Sequence, residues 1–397
     1  MTKADFPDHG FETAEFLNTH IRSILDFYEP RVFDSNGGFF QTFRDNGEIY
    51  DAPLRHLVSS SRFVYNYAMA YRKYGKPLHR QWVQHGLDFL QRAHRQSNGL
   101  FAWELRDGVV TDGRAMAYGH AFVMLAGASA LRAGVEEGRL LVTEMWEFLE
   151  QHFWQPEYRA YADERDASLQ CLNPYRGQNA NMHICESLLA AFDATGDTRY
   201  LERAELLAER FTQELASLNN GLIWEHYTSE WQPDMQYNVD KPDDLFKPWG
   251  FQPGHHVEWA RLLLQLNSLK PDGRSVDRAR ELYQLAMDKG WDKECGGLVY
   301  GFAPDGSFCD THKYFWVHAE AFATAWRLFR QTGEERYRQD YQRIWAWSWR
   351  FLIDHRHGAW FRIRHRDGSP VDKLKSPPGK TDYHTMGACW DVLENMG

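Results

Sequence analysis

The sequence predicts an all-α fold: an (α/α)6 barrel of six inner and six outer helices, with short β-hairpins in the long loops on one face. Three observations predict it. Short glycine–aromatic stretches recur six times, about 60 residues apart with one interval stretched. Each stretch is flanked by two helical patterns of different character. The links between those patterns alternate between short and long. An open α-solenoid is the competing architecture.

The six stretches are Gly37-Gly38-Phe39-Phe40, Asn98-Gly99-Leu100-Phe101, Tyr158-Arg159-Ala160-Tyr161, Asn220-Gly221-Leu222-Ile223-Trp224, Cys295-Gly296-Gly297-Leu298 and His357-Gly358-Ala359-Trp360. The pattern before each is amphipathic, with apolar residues at three- and four-residue steps and charges between. It covers 78–95, 137–152, 200–215, 276–290 and 336–354. These are outer helices. The pattern after each stretch is rich in small and apolar residues, as in Ala121-Phe122-Val123-Met124-Leu125-Ala126 and Ala319-Glu320-Ala321-Phe322-Ala323. Helices apolar nearly all round are buried, so these are inner.

From an inner pattern to the next outer one the link is short: Tyr74-Gly75-Lys76-Pro77, Thr195-Gly196-Asp197-Thr198 and 331–335. Glycine ends one helix and a polar residue starts the next. The other links are long and hold the glycine–aromatic stretches. The longest, 219–254, carries Trp224, Tyr227, Trp231, Tyr237, Phe246, Trp249 and Phe251. Long loops on one face of a scaffold are where sites are built. No linker or low-complexity stretch interrupts the pattern, so residues 1–397 read as one catalytic domain. Pro377-Pro378-Gly379 is a loop before the last helix.

Composition narrows the function. The net charge of −10 argues against nucleic acid, which needs a basic face. Cys171, Cys185, Cys295, Cys309 and Cys389 are scattered, odd in number and without a C-x-x-C pair, as expected of reduced thiols in a cytoplasm. Met1-Thr2-Lys3-Ala4-Asp5 leads into no apolar run, and no apolar stretch reaches spanning length. Neither an export signal nor a membrane anchor is expected. The 16 Trp, 19 Tyr and 25 Phe serve packing first, although flat apolar faces beside polar groups also suit sugars.

The chemistry concentrates at the starts of the inner patterns. In Pro253-Gly254-His255-His256-Val257-Glu258-Trp259, His255 and Glu258 are three apart and share a helical face. A histidine with a carboxylate neighbour at a helix mouth suits proton transfer near neutral pH. His183 and Glu186 repeat the spacing. Arg55, Tyr118, Asn179, His183, His318, Glu320 and His384 occupy comparable places, as do His56 and His120. Any one histidine there could be a hydrogen-bonded structural residue, and His56 reads that way. In a ring, however, all six starts converge on one hole. Burying so many polar groups without a role would cost about 1–3 kcal/mol for each one unsatisfied. H-H-x-E is not the H-E-x-x-H of metalloproteases. His183, His255 and His384 could still gather a metal, and Glu258 with Glu320 could form a glycosidase pair. The histidines outnumber the carboxylates, which disfavours the latter.

The Gly254-His255-x-x-Glu258-Trp259 helix opening, Asn179-x-x-x-His183, Arg55 and the final Asp382-Tyr383-His384 resemble the N-acylglucosamine 2-epimerase superfamily, and within it the aldose–ketose isomerase branch. The likeness runs nearly the whole chain. It implies an (α/α)6 barrel acting on a free monosaccharide without metal or cofactor. It implies that His255 and His384 are catalytic and that Glu258 orients the first. Arg55, Tyr118, Asn179, His183, Trp316 and Glu320 would hold the sugar. The implied reaction is interconversion of D-mannose and D-fructose, with D-lyxose and D-xylulose as a further pair. A sugar 2-epimerase is the alternative, because the epimerase branches share His255, Glu258 and His384. A glycoside hydrolase or a helical-repeat scaffold stands further off. A monomer or a dimer fits equally.

Overall fold

The computed structural model describes residues 10–244 and 246–396. The stretch Met1–Asp5, expected to carry no export signal, lies outside them. Among the described residues are six outer helices: α1 (Ala14–Tyr28), α3 (Pro77–Phe89), α5 (Glu137–His152), α7 (Thr198–Glu209), α9 (Arg274–Gly290) and α11 (Glu335–Phe351). Single π-helical turns, Leu90–His94 and Arg210–Leu215, prolong α3 and α7. The inner helices are α2 (Leu57–Tyr74), α4 (Ala117–Arg132), α6 (Gln178–Thr195), α8 (Pro253–Leu269), α10 (Phe315–Thr332) and α12 (Tyr383–Glu394). Each inner helix packs on the next, and α12 packs on α2. The ring is therefore closed, an (α/α)6 barrel and not a solenoid. No described helix is long and apolar enough to cross a membrane.

The two helix types follow from composition. In α4 nearly every residue from Ala117 to Leu131 is buried. In α9 only one face is, through Ala279, Leu282, Tyr283, Ala286 and Met287. The short links end as expected: Gly75, Gly196 and Gly333 cap α2, α6 and α10 in the left-handed region, at φ 66, 74 and 70°. The aromatic surplus goes mainly into packing, with Trp224, Trp231, Trp259, Trp345 and Trp360 wholly enclosed.

Strand pairing differs in part from the expected hairpins. Local hairpins do occur, as at Glu104–Arg106 with Val109–Asp112 and at Gly301–Phe302 with Phe308–Asp310. The other pairings join neighbouring repeats. The segment before each of five inner helices pairs antiparallel with one roughly fifty residues on: Leu54–His56 with Glu104–Arg106, Ala115–Met116 with Glu164–Arg165, Arg176–Gly177 with His226–Tyr227, Phe251 with Phe302, and Lys313–Tyr314 with Ile363–Arg364. The sixth, Leu374–Ser376 with Phe43–Arg44, joins the two ends of the chain. The loops thus form a girdle around the mouth.

A second device sets the height of the inner helices. The fourth residue of α4, α8 and α10 is His120, His256 and His318. Each Nε2 accepts a backbone N–H from the preceding glycine–aromatic stretch: Phe101 at 3.0 Å, Ile223 at 3.1 Å and Leu298 at 3.0 Å. A backbone N–H can only donate, so Nε2 is unprotonated and Nδ1 carries the hydrogen. That hydrogen goes to the carbonyls of Met116, Gln252 and Tyr314. In α6 the fourth residue, Asn181, does the same work by accepting from Tyr161 N–H and donating to the Gly177 carbonyl. Burial lowers His120 and His256 to about 4 and His318 to about 3, so all three stay neutral. His120 and His318 are structural. So is His56, whose Nδ1 accepts the Val58 N–H at 3.2 Å.

His318→Ala leaves the Leu298 N–H buried without an acceptor and opens a gap beside Trp347, which stacks on the imidazole at 4.7 Å. The variant is expected to lose about 2–3 kcal/mol in denaturant unfolding. An unchanged unfolding midpoint would show that this pin carries no stability.

Candidate active site

The inner-helix starts converge on a cavity of about 720 Å³, counting its open mouth. Helix phase places its side chains in tiers. The second residues of α4, α6, α10 and α12 are Tyr118, Asn179, Trp316 and His384, and all four line the cavity. His255, third in α8, joins them. The sixth residues of α2, α6 and α8, one turn deeper, are Arg62, His183 and Glu258, also on its wall. Phe246, Pro248 and the Pro377-Pro378-Gly379 loop stand nearer the mouth.

Three imidazoles in this wall share one arrangement. His183 Nδ1 lies 2.9 Å from Glu186 Oε2, His255 Nδ1 lies 2.9 Å from both Glu225 oxygens, and His384 Nδ1 lies 2.7 Å from Glu320 Oε1. Each carboxylate accepts the Nδ1 hydrogen and leaves Nε2 with its lone pair. Glu186 and Glu225 are held below the usual carboxylate range: burial works against ionisation there, but the imidazole beside each outweighs it; Glu320 is raised by burial, with Arg261 opposing. His384 is held well below 6.5, by burial first and then by Arg62 and His183. Burial also lowers His183, with Glu186 opposing.

Two arginines line the cavity: Arg362, paired with Asp372 at 2.6 Å, and Arg62. The Arg62 guanidinium lies over the faces of Phe122 at 4.3 Å and Tyr383 at 4.7 Å. It donates to the Gly379 carbonyl and to Tyr118 Oη at 3.2 Å, and reaches His384 Nε2 at 3.4 Å. Lys380 also reaches the wall. It is paired with Asp382 at 2.5 Å, and burial lowers it to about 8. Thr381 and Asp382, both left-handed at φ 47 and 51°, turn the chain into α12 just before His384.

Three expectations need correction. Arg55 is not at the cavity. Its guanidinium pairs with Asp34 at 2.5 Å and donates to the carbonyls of Ala52 and Leu54. It stands two residues before α2, as Lys313 stands two before α10, and Lys313 likewise holds Asp292 and the Gly297 carbonyl. Both clamp a glycine–aromatic turn. The inner-helix arginine at the cavity is Arg62, whose phase matches His183 and Glu258, a signal the repeat offered. Second, Glu258 does not orient His255. The partner is Glu225, brought in by the long 219–254 segment, and no spacing pattern reveals it. Glu258 is 1% exposed and neither of its oxygens has a hydrogen-bond partner. Burial, then the charges of Glu320 and Glu186, raise it well above 4.5 and favour its protonated form. Third, Glu320 is not on the cavity wall. It stands behind His384, bonded to it and to Arg261.

The groups close enough to share one ion are His183, Glu186 and Glu258, or Glu258, Glu320 and His384. His255 belongs to neither set, so the three histidines do not meet around a common point. In each set one carboxylate is already engaged by Arg261, at 3.3 Å from Glu186 and 2.6 Å from Glu320.

Residues 38–388 match the N-acylglucosamine 2-epimerase family, and the chain belongs to it. It is 46% identical over 388 residues to a D-mannose isomerase of Marinomonas mediterranea, covering 98% of both chains. It is 36% identical to a D-mannose isomerase of Thermobifida fusca, covering 92% of this chain and 89% of that one. A crystal structure of a D-mannose isomerase superposes with a TM-score of 0.96 at 46% identity, over 98% of this chain and all of the other.

The different surroundings of the two arginines can be read separately. Arg55→Ala strands Asp34 in the interior and is expected to cost about 3–5 kcal/mol in unfolding. It should leave the His384 titration unchanged when followed by NMR. Arg62→Ala removes the cation facing His384 Nε2 and should move His384 up towards 6.5. A shift in the Arg55 variant, or none in the Arg62 variant, would reverse these assignments.

Proposed function

We propose that the protein is an aldose–ketose isomerase that interconverts D-mannose and D-fructose, with D-lyxose and D-xylulose as a second pair. The observation that carries this reading is the cavity itself: three imidazoles with Nδ1 fixed on carboxylates and no carboxylate on Nε2, beside Arg62 and a buried carboxyl group whose protonated form is favoured. The D-mannose isomerase relatives support the sugar. Residues 1–397 read as one catalytic unit, and the free thiols fit a cytoplasmic setting.

The sugar must open first, because only the C1 aldehyde acidifies the C2 proton. His255 Nε2 assists by moving the anomeric O1 proton to the ring oxygen. His384 Nε2 then removes the C2 proton, and the C2–H electron pair becomes the C1=C2 bond of a cis-enediol. Glu258 gives its proton to O1 as the carbonyl electrons move there. In the second half Glu258 takes the O2 proton back, C2 becomes the carbonyl, and His384 delivers its proton to C1. Atoms and charges balance without an outside reactant. His183 Nε2, with its lone pair, accepts from a sugar hydroxyl, and Arg62 faces the oxygens on which charge grows. Fixed donors of this kind are worth about 3 kcal/mol each, and positioned acid–base groups about 10²–10⁴-fold. Tyr118, Asn179 and Trp316 hold the sugar, the indole against its apolar face.

A 2-epimerase would return the proton to the opposite face of C2 and would need a second base there. The product assay separates the two. D-mannose is expected to yield D-fructose first, with little D-glucose. His255→Ala and His384→Ala should each lose at least about 10²-fold in turnover with the circular dichroism spectrum intact. Glucose appearing as fast as fructose would make the enzyme an epimerase. EDTA-treated protein should keep its rate, and a loss restored by zinc would return a metal to the mechanism.

The pH profile follows from the two displaced groups. His384 acts as the neutral base, and its affinity for protons is held well below the ordinary imidazole value. The acid limb of kcat/KM therefore lies below pH 6.5. Glu258 acts as the protonated acid, raised by burial and its acidic neighbours, so activity falls on the alkaline side as it ionises. Glu258→Gln, which keeps a donor but cannot ionise, should lower kcat and flatten that alkaline limb. An alkaline limb unchanged in this variant would remove Glu258 from the proton path.

A further inference from the structure

Arg261 is the ninth residue of α8, one turn below Glu258, and is not on the cavity wall. Its Nε donates to Glu320 Oε2 at 2.6 Å and its Nη2 to Glu186 Oε1 at 3.3 Å. Each of these carboxylates gives its other oxygen to an imidazole, Glu320 Oε1 to His384 and Glu186 Oε2 to His183. One unbroken chain thus runs His183–Glu186–Arg261–Glu320–His384 beneath the cavity, from α6 through α8 and α10 to α12. The rings at its two ends are 6.3 Å apart.

We propose that Arg261 is a positioning residue that holds both carboxylates ionised and thereby fixes the Nδ1-protonated tautomer of His183 and His384 together. Without it three acids, Glu186, Glu258 and Glu320, would crowd one buried space with no cation beneath them. Such carboxyls cannot all ionise, and a proton enters the cluster. The entering proton has two destinations. On Glu320 it turns the acceptor of the Nδ1 hydrogen into a donor, so the hydrogen of His384 moves to Nε2. On His384 it occupies Nε2 directly. Either way the lone pair that would take the C2 proton is gone. Sequence distance does not obstruct the coupling, because the fork of a guanidinium spans two carboxylates that a lysine would serve one at a time.

The remaining charged neighbours do not replace it. Asp391 on α12 faces Arg261 but is claimed by Arg327 of α10 at 2.7 Å. Tyr383 donates to Glu186 Oε1 at 2.6 Å and is neutral, as is Tyr65 from α2. Arg62 sits on the cavity side of the imidazoles, facing Nε2 and not the carboxylates.

This inference rests on the isomerase reading only for its kinetic arm. In resting wild-type protein, nitrogen NMR of the imidazoles should show Nδ1–H and bare Nε2 for His183 and His384. In Arg261→Met one or both should lose that pattern. The acid limb of kcat/KM should move up by about one pH unit, with kcat falling more than tenfold and KM changing less than threefold. Arg261→Lys restores the charge without the fork, and should give an intermediate limb and partial recovery of kcat. Should Arg261→Met fail to fold, Arg261→Lys carries the test alone. Wild-type tautomers and a wild-type pH limb in the folded variant would overturn the proposal. A wild-type protein that makes no fructose from mannose would instead refute the isomerase reading and leave the tautomer measurement standing.

Discussion

The site depends on one constraint: six inner helices must begin at the same height, because their second, third and sixth residues are the cavity. Helix packing alone does not impose that, since helices slide along their axes at small cost in apolar contact. Directional bonds do. The fourth-residue side chains His120, Asn181, His256 and His318 tie each helix to the backbone of the stretch before it. Arg55 and Lys313 lock the turn from the other side. A structural histidine and a chemical one thus stand side by side at His255 and His256, with opposite requirements. One has both nitrogens committed to backbone. The other has one committed to a carboxylate and one left open.

Electrostatics explains why the buried charges are tolerated. Glu186 and Glu320 face Arg261, Arg62 answers the excess negative charge from the cavity side, and Glu258 avoids the problem by staying protonated. With both histidines neutral the cluster sums to zero. In the proposed enediol state His384 holds the proton from C2 and Glu258 has given its own to O1, so the cluster stays neutral while its charges separate. The resting neutrality and the transient charge separation have the same origin.

The fold was legible in the sequence because its signals are long. Six repeats, two helix types and two link lengths all agree on a ring, and Gly75, Gly196 and Gly333 end helices where a left-handed residue is required. The wall of the cavity was legible where chemistry followed helix phase, as at Tyr118, Asn179, His183, His255, Trp316 and His384. It was misread where phase and chemistry parted. Arg55 is polar, near an inner start and aimed away, while Arg62, seven residues on, is aimed in. Glu258 shares a face with His255, yet the ring turns to Glu225, thirty residues earlier in the chain. Partners set by tertiary approach leave no periodic trace. Arg261 was invisible for the same reason: an arginine in a helix reads as surface until two carboxylates are seen on either side of it.

The girdle closes through Phe43–Arg44 and Leu374–Ser376, and the helix that follows this seam supplies His384. Synthesis runs from one side of the seam to the other. A nascent chain can stack its repeats in order as they emerge, each new inner helix finding the previous one already in place. The last helix has three neighbours to find at once, α10 just made and α1 and α2 made first. Until it docks, the ring is a groove with one stave missing. Its floor holds Glu320 with no imidazole above it, and Arg62 faces water. His384 therefore arrives in the same event that shuts the groove.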